Sequence, residues 1–299
     1  MSQRILVTGA AGFLGSWTVK RLLEDGWQVA AFDRGDDAKL RRIAGDAAAD
    51  SVTWHTGDIA DTATVARLVA EARPEVVCHL AAVLIPVCKA DPVRGAMIDV
   101  IGHINVFEAA ADAGCRQVVY ASSASATART KDGTLATVYG TFKHWNEEFA
   151  ATRLIDRGIA SVGLRPAIVY GPGREVGATS FVNTAIADAA AGRPHVLTTR
   201  WRHRVEYVEE IAEAFARCCA APIAGSHACD VTTLQSDEND FVAALGRVLP
   251  GADVRVDGEA GFREAGKADT SGLEALIGPL RSVGLDEGIA RTVEGMRRG

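Results

Sequence analysis

Long apolar runs, paired cysteines and an excess of positive charge are all missing from this 299-residue chain. No stretch reaches the ~18 uninterrupted apolar residues of a membrane span, so no transmembrane segment is expected. The opening Met-Ser-Gln-Arg leads straight into an apolar strand. It lacks the basic region, apolar core and cleavage site of a signal peptide, so a cytoplasmic location is expected. Six cysteines, at 78, 88, 115, 218, 219 and 229, form no C-x-x-C, and the 7 histidines show no ligand spacing. Reduced thiols and no metal site are expected. Lys plus Arg number 32 against 38 Asp plus Glu, a formal charge of −6, with one basic cluster at Arg200, Arg202 and Arg204. That balance offers neither nucleic acid nor an anionic membrane an electrostatic reason to bind.

What the chain does contain is ordinary globular material, 48% hydrophobic and 23% charged. Apolar runs at 4–8, 28–32, 52–56, 76–80, 118–121 and 160–164 alternate with helical stretches at 12–25, 36–46, 61–72, 93–113 and 138–157. Strands rich in Val, Ile and Ala on both faces belong to a buried parallel sheet with helical crossovers. The expected fold is therefore α/β, a doubly wound parallel sheet of Rossmann type. Residues 1–165 form its main domain, with later returns around 205–232. Residues 166–299 read as a smaller C-terminal substrate-binding lobe, with helices at 180–191, 237–248 and 286–297 and strands at 226–231 and 253–256.

The first strand runs into Thr8-Gly9-Ala10-Ala11-Gly12-Phe13-Leu14-Gly15. In such a strand–turn–helix, Gly9 permits the tight turn and Gly12 the approach of a pyrophosphate, while Gly15 lets helix pack close on strand. The free amides of Phe13, Leu14 and Gly15 then face the phosphates at a helix N-terminus. Asp33 ends the second strand and accepts hydrogen bonds from ribose hydroxyls. Its charge disfavours a 2′-phosphate, so NAD is expected over NADP, with the adjacent Arg34 softening that preference.

Tyr139 and Lys143, four apart, share one helical face. A tyrosine of ordinary pKa, about 10, is a poor base at neutral pH, and a nearby ammonium is expected to pull that value down. The preceding strand delivers Ser122-Ser123-Ala124-Ser125 at its carboxyl end, where a hydroxyl can orient a reacting oxygen.

With these motifs the sequence resembles the extended short-chain dehydrogenase/reductase superfamily, in its NAD-dependent epimerase/dehydratase branch. The likeness also rests on Gly57-Asp58-Ile59, Leu80-Ala81-Ala82, Leu164-Arg165-Pro166 and Val169-Tyr170-Gly171-Pro172-Gly173. Tyr207-Val208-Glu209-Glu210-Ile211-Ala212 and Leu285-Asp286-Glu287-Gly288-Ile289 extend it. The resemblance implies Ser123, Tyr139 and Lys143 as the catalytic set. It implies Asp58 and Ile59 beside adenine, and Leu80, Ala81 and Ala82 along the nicotinamide ribose, which Lys143 also binds. Pro166, Ala167 and Ile168 would pass near the carboxamide. Ser122 and Ser125 are candidate substrate contacts, and Arg204 or Arg202 a grip for a substrate anion. Pairing of the two long helices, 93–113 and 138–157, in a homodimer is implied as well. Three departures stand out: Asp99 where the family has Asn, Ala126-Thr127-Ala128 after the serine motif, and a short Ala124–Val138 segment.

The reading that follows is an NAD-dependent oxidoreductase acting on a secondary alcohol or ketone carbon of a sugar-like small molecule. The alternatives are a nucleotide-sugar epimerase that retains its NAD, and a scaffold that binds NAD without turnover. A dehydratase is disfavoured, because Ala124-Ser125 stand where that chemistry places an Asp-Glu pair.

Overall fold

Val-, Ile- and Ala-rich strands must be covered on both faces, and the chain covers them with helices. The computed structural model describes residues 3–232, 235–262 and 268–298. The strands are β1 (Arg4–Thr8), β2 (Gln28–Asp33), β3 (Thr53–Thr56), β4 (Val76–His79), β5 (Gln117–Ala121), β6 (Ala160–Arg165), β7 (Ile168–Tyr170), β8 (His195–His203), β9 (Val205–Tyr207), β10 (Ser226–Asp230), β11 (Ser236–Asp237) and β12 (Val254–Phe262). Seven of them form one parallel sheet in the order β10-β6-β5-β4-β1-β2-β3. The order reverses between β1 and β4, which opens a crevice at their carboxyl ends, the usual ligand site of such sheets.

Helices α1 (Phe13–Glu24), α2 (Ala38–Ala44), α3 (Asp46–Asp50) and α4 (Thr62–Ala72) follow the first three strands. After β4 come α5 (Ile85–Ala90), α6 (Pro92–Ala96), a π-helical turn (Met97–Ile101) and α7 (Gly102–Asp112); α8 (Val138–Arg157) follows β5. The later helices are α9 (Phe181–Ala190), α10 (Val208–Ala220), α11 (Glu238–Val248), α12 (Ser271–Ile277) and α13 (Leu285–Arg298). Packing of α1 and α10 buries one sheet face, with Val19, Leu22, Ile211 and Phe215 fully covered. On the other face Val65, Leu68, Val106, Phe107 and Ala150, from α4, α7 and α8, form a second core. A third core, around Tyr170, Trp201, Tyr207, Phe241 and Ile289, holds the smaller lobe, where β11-β8-β12 and β7-β9 make two small sheets. The chain thus leaves the main sheet after β6 and returns to it through α10 and β10.

Several elements differ from expectation. The helix expected over 93–113 runs without interruption from Pro92 to Asp112, wound as a π turn at Met97–Ile101; Pro92 opens it and Asp91 caps it, its side chain accepting from the Arg94 amide at 2.9 Å. β8 was not anticipated: its half-exposed polar alternation, His-Val-Leu-Thr-Thr-Arg-Trp-Arg-His, gives a weak apolar signal. The last strand extends beyond the 253–256 expected, to Phe262.

Gly163 in β6 has the Tyr120 ring where its side chain would be, a Cβ falling within 2.4 Å of the ring. Tyr120 has little room to yield, being 1% exposed and packed edge-on against His103 and Phe107. Gly163→Ala is expected to cost about 1–3 kcal/mol by overpacking, read as a lower urea midpoint at unchanged slope.

Candidate active site

The turn after β1 shows why its three glycines are where they are. Gly9 has φ of 75°, and a Cβ there would lie 2.5 Å from the Ala81 amide of the neighbouring strand's extension. A Cβ on Gly15 would sit 2.0 Å from the Gly9 carbonyl oxygen, so α1 packs on the turn with no side chain between. Gly12 N-caps α1 without a side-chain bond, and the only atom crowding a Cβ there is the Gly9 oxygen at 3.0 Å. The first amides of α1, from Phe13 to Gly15, thus stand at a helix N-terminus with the dipole's positive end.

Beside this turn lies a groove of about 290 Å³. Gly9, Gly12, Asp33, Arg34, Asp58, Ile59, Leu80, Ala81 and Ala82 line it, joined by Ala11, Phe32, Gly57, Val83 and Ile98. Asp33 is aimed by backbone amides: Oδ2 accepts from Ala11 at 3.0 Å, and Oδ1 from Arg34 at 2.7 Å and Gly35 at 3.0 Å. Such a preorganised carboxylate, a side-chain-free approach at Gly12 and a groove lined by both fit an adenosine ribose and its pyrophosphate. Below the groove, Thr8 Oγ1 and His79 Nδ1 share a buried 2.8 Å hydrogen bond, and burial pulls His79 down to about 3, leaving it neutral.

The expected reacting groups converge at the carboxyl end of β5. Thr137 caps α8 by accepting from the Gly140 amide at 2.9 Å. A Cβ on Gly140 would meet the Ser125 carbonyl at 2.4 Å, so this glycine lets the first turn of α8 lie directly on the serine loop. Tyr139 is thereby brought beside Ser123, whose hydroxyl favours the phenolate. The Ser125 amide donates to Ser123 Oγ at 3.1 Å, which leaves the Ser123 proton for the phenol side. Lys143 lies one turn on, its Nζ 5.6 Å from the Tyr139 ring centroid and donating to the Ala121 carbonyl at 2.8 Å.

The electrostatics differ from expectation. Burial pushes the Tyr139 phenol above its usual range, the Asp99 carboxylate adds to that rise, and the Ser123 hydrogen bond and the Arg174 charge oppose it. Lys143 is 3% exposed; burial lowers its pKa and Asp99 holds it up. The ammonium therefore acts chiefly as a buried, charge-balanced donor.

Asp99 is central to this balance. The π turn carries it inward, a deformation often found at functional sites. Its Oδ1 accepts from the Val83 amide at 2.7 Å, its Oδ2 faces Cys88 Sγ at 3.7 Å, and Asn146 of α8 donates to its carbonyl at 3.0 Å. Burial raises its pKa while Lys143 counters.

Not every expected residue joins the site. Ser122 is buried, and its hydroxyl is spent on Glu147, itself held by Arg165 through a bidentate pair of 2.8 and 2.6 Å. It supports the loop and is not available to substrate. Arg204 is 2% exposed and paired with Asp230 at 3.1 Å, with Thr232 accepting a second bond. This buried pair ties the lobe to β10, which corrects the expectation of an anion grip there. Arg202 is exposed on β8, opposite Asp237 of β11. Pro166 accepts from the Ala124 amide at 2.9 Å, Ala167 donates to the buried Glu206 at 2.7 Å, and the Ile168 side chain belongs to the third core. Arg174 was overlooked: its guanidinium lies 5.4 Å from the Phe13 ring centroid and acts on Tyr139. The Gly171-Pro172-Gly173 turn that carries it was the available signal.

Removing the Asp99 charge should ease ionisation of the phenol, since one anion opposes another. In Asp99→Asn the acid limb of the pH profile for alcohol oxidation is expected to move to lower pH. An unmoved limb would show that Asp99 does not act on Tyr139.

The NAD dependent epimerase/dehydratase family model matches residues 5–231. Over 312 aligned positions the chain is 29% identical to a UDP-glucose 4-epimerase of Mycolicibacterium smegmatis, covering 98% of each protein. It is 33% identical to a 2-alkyl-3-oxoalkanoate reductase of Stenotrophomonas maltophilia, over 57% of this chain and 52% of that one. The crystal structure of a Thermus thermophilus UDP-glucose 4-epimerase in complex with NAD superposes with a TM-score of 0.82 at 26% identity, over 99% of both chains. The chain belongs to the NAD dependent epimerase/dehydratase family and is an NAD-dependent enzyme of the extended short-chain dehydrogenase/reductase type.

Proposed function

We propose that the enzyme is a nucleotide-sugar 4-epimerase, which oxidises one secondary alcohol carbon and reduces it again from the opposite face. The observation that carries this reading is the Ser123–Tyr139–Lys143 cluster on the same carboxyl edge of the sheet as the groove beside the glycine turn, in a chain matched end to end by a UDP-glucose 4-epimerase. When bound, the nicotinamide supplies a hydride acceptor and a positive charge that favours the phenolate. Tyr139 takes the hydroxyl proton as the carbon–hydrogen bond gives up its hydride and a carbonyl forms. Ser123 holds the oxygen through that change, and Lys143, fixed by the Ala121 carbonyl, offers its remaining N–H groups to the ribose. Rotation of the keto sugar presents the other face, and Tyr139 returns the proton as hydride comes back.

A second reading, net reduction or oxidation of a carbonyl substrate, draws on the likeness to the oxoalkanoate reductase. Incubation with UDP-glucose and UDP-galactose separates the two. Interconversion without accumulation of NADH supports the epimerase; stoichiometric NADH supports a dehydrogenase; NAD binding with neither refutes turnover on these sugars. Tyr139→Phe is expected to lower turnover by about 10²–10⁴ while NAD affinity stays unchanged.

The exposed apolar side chains Val93, Met97, Trp145 and Ile155 lie on α6, the π turn and α8, where the two long helical segments run together. They support a homodimer formed through these helices. Ile155→Glu is expected to shift the sedimenting species to monomer; an unchanged mass would place the interface elsewhere. Among the described residues no helix is long and apolar enough to cross a membrane.

A further inference from the structure

Substrates with a nucleoside diphosphate carry negative charge, and a site that takes them needs a cation. The arginine nominated for that task, Arg204, is consumed by Asp230 inside the protein. Both arginines have an orphaned buried Nε, but Arg174, among the described residues, lacks the counter-ion that Arg204 has. Its Nη2 donates to Thr179 Oγ1 at 2.8 Å, its Nε is buried with no partner, and no carboxylate pairs with it among the described residues. A half-buried guanidinium with an orphaned N–H is unfavourable unless something anionic completes it.

Neighbouring bonds hold Arg174 in that condition. Trp17 Nε1 donates to the Pro172 carbonyl at 2.9 Å, and Lys39 Nζ to the Gly173 carbonyl at 2.9 Å. The adjacent acid, Glu175, is taken by Lys39 at 3.2 Å and Arg42 at 2.9 Å. The loop is therefore pinned on both sides of Arg174 to α1 and α2, and its own carboxylate points to other cations. The guanidinium is left stacked on Phe13, the first residue of α1, with its charge felt at Tyr139. It stands between the helix N-terminus that suits a phosphate and the phenol that suits a reacting alcohol.

We infer that Arg174 is an anion-binding residue of the active site, holding a phosphate or diphosphate between the α1 N-terminus and Tyr139. A planar guanidinium with free N–H groups is suited to bidentate contact with such oxygens. The inference rests on the nucleotide-sugar reading for the source of that anion in the substrate; the cofactor's own pyrophosphate is the other source of the same chemistry. Burial lowers the pKa of Arg174, a cost that a bound anion offsets.

Calorimetric titrations of the full chain, Arg174→Gln and Arg174→Lys with NAD, UDP and inorganic pyrophosphate test it, with thermal unfolding confirming that each variant folds. Arg174→Gln is expected to weaken at least one of the three by tenfold or more, with Arg174→Lys intermediate and the salt dependence of binding reduced. Loss of UDP affinity at constant NAD affinity assigns the substrate diphosphate; loss of NAD affinity at constant UDP affinity assigns the cofactor. Unchanged affinity for all three, or a wild-type chain that binds none, overturns the inference. A wild-type chain that binds NAD and pyrophosphate but not UDP sinks the nucleotide-sugar reading alone, and Arg174 is then judged on the other two ligands.

Discussion

A lysine ammonium sealed from water at the end of β5 constrains everything around it. Isolated, such a charge costs several kcal/mol, so the fold must supply both a hydrogen-bond acceptor and a counter-charge. The Ala121 carbonyl is the acceptor, held by its place at the end of a central strand. Asp99 is the counter-charge, delivered by a π turn in the helical segment that packs against α8. The same carboxylate that makes the ammonium tolerable opposes ionisation of the neighbouring phenol. Ser123, Arg174 and, when bound, the positive nicotinamide act the other way. Ionisation of the Tyr139 phenol is a contest among these charges, where burial strengthens each of them.

The groove beside this cluster obeys a steric constraint. Backbones approach at Gly9, Gly15 and Gly140 to distances that exclude a Cβ. Gly15 brings α1 onto the turn after β1, Gly9 brings that turn against the Leu80–Ala81 main chain beyond β4, and Gly140 brings α8 onto the serine loop. The α1 amides proposed to bind phosphate and the Ser123–Tyr139 pair proposed to move the proton are thus placed by contacts between main chains, which move little, and not by flexible side chains. Asp33 is held likewise by three amides, so the ribose end and the reacting end share one rigid frame.

Beyond β6 the chain builds a lobe whose buried polar groups join it to the main sheet. Arg204, paired with Asp230 of β10, crosses that boundary. The Gly171–Ser180 loop crosses it from the other side, through Trp17, Lys39 and Arg42, and carries Arg174 over Phe13. The lobe is therefore anchored at the point where it meets the groove.

Period and punctuation along the chain determined the parallel sheet, the glycine turn, Asp33 and the Tyr139–Lys143 pair, because each of these is local: a strand, a turn or one helical turn. Even the bounds of α8 follow from Thr137 and Gly158, its capping residue and its left-handed terminus. Tertiary structure alone decided which charges meet. Arg204 and Arg174 look alike in the sequence, yet one pairs with an aspartate on a strand that returns late to the sheet while the other is left beside the reacting phenol. Ser122 and Ser123 are neighbours in the chain, and the pleat sends one to Glu147 and the other to Tyr139. Burial and partnership are properties of surfaces brought together from distant segments, and no window of sequence contains them.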